Sequence, residues 1–497
     1  MAQLRDTPSQ YKTHSPYPSK LLACSPPIFE AIQSATLRTD VNRLSLLERL
    51  PNELQLMVIV QIADPPSVLR LALTGPQLCA FILIHERRIA ESVVRKTIPA
   101  ELLHLAVATY TVIESYWNIH NNQFYLGSSQ ELSNFYVDSV VEFVERYRCS
   151  GGFAFEIQHP EGLSLYEAQC YYVMNNLISD YANQLALLSM RNIPKDLRFA
   201  PEISPTVLIR YKKALYITQL VAELFAWRGG DQTNRMHLAW GMFWYALAPW
   251  EVEQVYCVQT LLTWHILEEM CKTSIHALAY NHWFSTVERF VNYYGPVRLG
   301  VLANGGTRHQ LIIALKAFKE WNPFEFIYYG HCAPTFGLKF ILDRIGQRLA
   351  QSTKDGSPAF SDIDLGPMKN WYRIFLFGSL EEVRPGRCHS FFSCMHCLVL
   401  SGYAFWDEMD QNRMPTPSIS VMHERTVAKF EDESRTLGSL HKDRIAAMRF
   451  RWWENCNSQS VMFPHARGQL QLLPRYADEY CFQRIGQTLA DEKESTR

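Results

Sequence analysis

The chain has 497 residues, 47% of them hydrophobic, enough apolar material for a substantial core and, by a soft length rule, for roughly two to four domains. Its 48 lysines and arginines are balanced by 49 aspartates and glutamates, and a formal net charge of -1 supplies no global field for gathering nucleic acid or anionic membrane. The N-terminal stretch has no apolar core of signal-peptide length and nothing nears the roughly 18 uninterrupted apolar residues of a membrane helix, so the expected location is cytosol or nucleus.

Twelve dispersed cysteines, without an N-x-Ser/Thr sequon, argue against a disulfide scaffold and are expected as reduced, mostly buried thiols. Residues 1–43 carry Pro8, Pro16, Pro18, Pro26 and Pro27 among serines and threonines. Such a segment buries too little surface to offset its chain entropy and is expected to be a disordered tail.

At Leu44 the character changes. The run from Leu44 to Val94 is dense in apolar residues and punctuated by proline, which predicts three short helices in a module at 44–95. Pro51 suits a first helical turn, where its missing N–H costs nothing, and Glu53 stands near the positive end of that helix dipole. Leu54, Met57, Val58 and Ile62 then fall on one stripe. Asp64, Pro65 and Pro66 stop the first helix, and Ser67 can cap a second that buries Leu71 and Ala72. Thr74 and Gln77 have the spacing of a capping box, with Pro76 in the first turn, ahead of Leu78, Phe81, Ile82 and His85.

Beyond residue 100 the three-to-four-residue apolar spacing continues over 101–122, 130–148, 163–191, 205–227, 251–294, 308–321, 337–352, 388–409, 440–455 and 475–490. The expected fold class is all-α, with a large helical domain at about 100–490 in one or two lobes. Breaks are predicted at Gly151-Gly152, Gly229-Gly230, Gly305-Gly306, the polar stretch Ser352 to Gly366, and Met414 to Pro417. No repeat period recurs.

Leu50-Pro51-Asn52-Glu53-Leu54, the apolar helix after it, Asp64-Pro65-Pro66-Ser67-Val68-Leu69 and Leu71-Ala72-Leu73-Thr74 together resemble the start of an F-box, in its divergent fungal form. The resemblance covers residues 46 to about 85. It departs from the family pattern at Gln77-Leu78-Cys79-Ala80-Phe81, where many members carry a Trp after a basic residue. It implies binding to the Skp-type adaptor of cullin–RING ubiquitin ligases through Leu50, Pro51, Leu54, Ile59, Ile62, Leu69 and Leu78. The rest of the chain is then expected to capture an unknown protein substrate. Ser204-Pro205-Thr206, Tyr211 to Tyr216 and Gly402 to Asp407 also look like uncharacterised fungal proteins that join F-box-like starts to long helical regions.

Local chemistry is sparse. Cys388, His389, Cys394, His396 and Cys397 supply zinc-ligand types, but the spacing lacks two separated ligand pairs, and buried core cysteines are the preferred reading. His265 with Glu268 and Glu269 shares a helical face without a metal-binding motif. The stretch Lys442 to Trp453 mixes cations and aromatics, yet Ile445, Met448 and Trp452 recur at core spacing. Nucleophile elbows, phosphate-binding loops and dinucleotide fingerprints are absent from the sequence. No catalytic residue, metal or cofactor is expected, and neither nucleic acid nor membrane is expected as a partner. The competing readings are a helical scaffold without a ligase link and a helical enzyme assembled from distant residues.

Overall fold

The structure is a computed structural model. It describes residues 45–115, 130–149, 162–192, 203–225, 247–271, 280–304, 365–377 and 402–406, together with 239–240, 243–244, 311–315, 318, 343, 346–347, 349–351, 354, 421, 424–425 and 427–428. About 86% of these residues are helical and none lies in a strand, so the described part is all-α. The expected tail at 1–43, the cysteine cluster at 388–397 and the stretch at 442–453 lie outside the described residues. No described helix is long and apolar enough to cross a membrane.

Residues 52–97 form four helices: α1 (Asn52–Ile59), α2 (Pro65–Ala72), α3 (Pro76–Ile84) and α4 (Glu86–Thr97). The expected third helix thus ends at Ile84, and a fourth follows after His85, whose ring lies 4.5 Å from that of Phe81. Two local expectations are corrected here. Asp64, rather than Ser67, caps α2, by accepting from the Ser67 backbone N–H at 2.8 Å. Pro65 and Pro66 open that helix as its first-turn residues. The Thr74–Gln77 box does not form, because Gly75 is the N-cap of α3 and the Thr74 hydroxyl donates to the Leu71 carbonyl. A reciprocal box forms instead between Ser45 and Glu48, in the turn that leads into α1.

The body continues with α5 (Ala100–Glu114), α6 (Gln130–Cys149), α7 (Leu165–Asn192), α8 (Pro205–Leu224), α9 (Pro249–Cys271), α10 (Tyr280–Asn304) and α11 (Leu365–Phe377), followed by a 3-10 turn at Tyr403–Phe405. Helix α11 begins at the edge of the predicted polar break, and a 3-10 turn stands where part of a helix was expected at 388–409. Helices α5, α7, α9 and α10 all pack on α8. That helix is capped by the Ser204 hydroxyl and buried on every side from Ala214 to Leu224, the pattern of a helix enclosed by neighbours.

Two features hold α8 in place. Helix α10 is broken at Gly295, which has φ +67, with Pro296 following. The Gln219 amide spans the break, accepting from the Val297 N–H at 2.7 Å and donating to the Tyr294 carbonyl at 3.3 Å. One turn on, Glu223 receives a two-pronged contact from Arg298 at 2.6 and 2.9 Å, with both side chains buried. In the second feature, the turn at 402–406 inserts against α8. Phe405 stacks on Tyr211 with ring centroids 3.7 Å apart, and Arg210 donates to the Phe405 carbonyl. Gln254 donates to the Ala404 carbonyl, Asn370 to that of Trp406, and the Tyr403 hydroxyl donates to Glu253. Gly402 has φ +65, and a Cβ there would collide with the Tyr211 hydroxyl, so glycine is required.

Candidate partner-binding site

The module at 45–97 has an inner and an outer face. On α1, Leu56 and Ile59 enter the core, and Gln55 is buried with its amide donating to the Leu50 carbonyl at 2.8 Å. That bond fixes the Leu50-Pro51 turn against the helix. On the outer face, Leu54, Met57 and Val58 are 45%, 61% and 48% exposed. These are three of the four residues of the predicted stripe; the fourth, Ile62, is half-buried and packs on the core. Leu46, Leu73, Leu83 and Ile84 are exposed as well. Seven large aliphatic side chains of this small module therefore face solvent, more than core packing explains.

The inner face is fastened by α4. Ser92 and Lys96 donate to the Val60 carbonyl, and Thr97 donates to that of Ala63, so α4 satisfies groups left open at the C-terminal end of α1. Helix α4 in turn packs on α7, where Glu86 accepts from the Leu165 N–H at 2.8 Å. Asn175 donates to the Thr97 carbonyl and accepts from the Tyr216 hydroxyl, extending the link to α8. The core runs without interruption from Leu56 to Phe405.

Of the residues implied by the resemblance, Leu54 and Pro51 are exposed, and Leu50, Ile62 and Leu69 are half-buried. Ile59 and Leu78 are 0% and 2% exposed; they belong to the chain's own core and have no surface to offer a partner. The fold brings Leu50, Pro51 and Leu54 together around the start of α1. Met57 and Val58, absent from the implied set, complete the exposed α1 face. Their spacing from Leu54 at i, i+3 and i+4 is the sequence signal that marks them.

Other sequence candidates resolve as follows. His265 stands edge-on to Tyr181 with ring centroids 6.1 Å apart, and no group of three metal-ligating side chains occurs among the described residues. Cys170 and Cys257 are buried and form no disulfide; Cys79 is half-buried, and burial raises its thiol above the ordinary range. Trp240, Trp244 and Trp250 are core residues. Half-buried His104 is pushed below its ordinary range, first by burial and then by the Lys213 ammonium, against an opposing pull from Glu251. Lys213 is itself paired with Glu251.

No family model, curated protein or solved structure matches this chain.

Proposed function

We propose that the chain is a substrate receptor of an SCF-type cullin–RING ubiquitin ligase, docking the Skp-type adaptor on the outer face of its N-terminal module. The observation that carries the reading is the open aliphatic face of α1, Leu54, Met57 and Val58, on a helix whose opposite side is locked into the core. A surface of this kind on a rigid support offers apolar area without a large ordering cost on binding. In this reading the chain carries no catalytic group. It works in the cytoplasm or nucleus and raises the effective concentration of a bound target beside the transferring enzyme. The helical body from α5 onward carries the target.

The test is capture of the purified chain by the Skp-type adaptor, with a Pro51→Ala, Leu54→Ala double variant in parallel. Because both side chains are exposed, the variant keeps the parent's circular dichroism. Binding by the parent, weakened at least about 10-fold in the variant, supports the reading. Equal binding by both, or none by the parent, overturns it.

A helical scaffold without a ligase link is favoured by a different observation, the continuity of the module's core with the body. That reading requires the α1 face to be inert toward the adaptor.

A further inference from the structure

Two described helices show what this chain makes of a capping residue followed by proline. Asp64 caps α2 ahead of Pro65 and Pro66, and the Ser204 hydroxyl caps α8 ahead of Pro205. Upstream of the module, outside the described residues, Ser25-Pro26-Pro27 repeats the pattern. Behind it Ile28, Ala31, Ile32 and Ala35 fall at i, i+3, i+4 and i+7 with Phe29 beside them, while Glu30, Gln33 and Ser34 fall opposite. The sequence thus predicts an amphipathic helix over 26–37. A helix of about 12 residues is marginal by itself in water, so this one needs a surface that covers its apolar stripe.

The open face of α1 has the chemistry and lies within reach. Leu54, Met57 and Val58 present aliphatic area on a helix whose other side is locked into the core. The chain enters α1 through a turn held against it. The Ser45 N–H donates to Glu48 at 2.8 Å, the Arg49 N–H donates to the Ser45 carbonyl at 3.2 Å, and the Gln55 amide donates to the Glu48 and Leu50 carbonyls at 3.3 and 2.8 Å. Ser45 is thereby fixed beside the start of the helix. The link at 38–44 spans up to about 25 Å when extended, roughly twice the length of α1. A segment tethered so closely meets the face at an effective concentration in about the mM range, an advantage that a second copy of the chain does not have.

We propose that residues 26–37 dock as a helix on the Leu54, Met57 and Val58 face and compete there with the Skp-type adaptor. The docked helix stands apart from the adaptor reading, whereas the competition rests on it. The full chain therefore serves in two experiments.

In the first, Phe29 is replaced by the photoreactive benzoylphenylalanine, and the irradiated chain is digested and its cross-linked peptides are identified. The expected cross-link joins position 29 to the α1 peptide of the same chain and is lost when Leu54→Ala and Val58→Ala are added; both side chains are exposed, so that variant keeps the parent's circular dichroism. A cross-link between two chains, or none at α1, overturns the proposal. In the second experiment, an Ile28→Asp, Ile32→Asp variant is expected to bind the adaptor at least about 10-fold more tightly than the parent, the factor for a face covered in about nine molecules of ten. Leu54→Ala is then read in that background, where the segment no longer competes, and is expected to weaken capture. Equal adaptor binding by the parent and the Ile28, Ile32 variant overturns the competition and leaves the ligase reading standing. Adaptor binding by neither, with the cross-link to α1 intact, overturns the ligase reading and leaves the docked helix.

Discussion

At the scale of single residues, the core around α8 holds a buried ion pair and a bridging amide. Arg298 and Glu223 are ion-paired inside a helical core, and Gln219 supplies the partners that the broken α10 backbone lacks. Removing one member of such a pair strands a buried charge, so Arg298→Ala is expected to cost about 3–5 kcal/mol. Chemical denaturation measures the loss. The double change Glu223→Met, Arg298→Met leaves no stranded charge, and its cost is expected to be clearly smaller than that of Arg298→Ala. None of this was legible from spacing. Position 295 falls just past a run read as one helix over 251–294, and a glycine followed by proline announces a break but not the amide that bridges it. Likewise, periodicity placed Leu54, Met57 and Val58 on one stripe, but it cannot say which side of a helix the neighbours will cover, and this stripe points outward.

At the scale of elements, the long helices were readable, whereas α4, α11 and most helix ends were not. The predicted helices at 130–148, 163–191 and 205–227 match α6, α7 and the length of α8 to within a few residues, because their apolar spacing is sustained over several turns. The short helices of the module depend on caps, where candidates compete within a few residues. Asp64 outcompetes Ser67, and Ser45–Glu48 forms the box that Thr74–Gln77 does not. Asp64→Ala is accordingly expected to lower stability by about 1 kcal/mol, whereas Gln77→Ala stays within about 0.5 kcal/mol of the parent. Thermal or urea unfolding of the two single variants checks the contrast. Of the resemblance-based site, the turn and exposed face at Leu50, Pro51 and Leu54 were legible, because the Leu-Pro pair and the following spacing are local features. The assignment of Ile59 and Leu78 to the core was not, because it is decided by the packing of α1 and α3 into the rest of the molecule.

At the scale of the whole molecule, α8 is the axis on which α5, α7, α9 and α10 converge, and the turn at 402–406 closes over it. Phe405→Ala removes a stacked, fully buried ring and is expected to cost about 3–5 kcal/mol. Denaturant unfolding followed by circular dichroism reads the loss as a lower midpoint. The bond from Arg210 to the Phe405 carbonyl spans 195 residues of sequence. During synthesis, at about 5–20 residues per second, roughly 10–40 s pass between the appearance of Tyr211 and that of the ring that covers it. For that interval the Tyr211 ring lacks the Phe405 ring that stacks on it, and Arg210 lacks the Phe405 carbonyl. The turn at 402–406 is thus a late closing piece, and a chain cut short before it is expected to leave apolar surface open of the kind that draws chaperones and proteases.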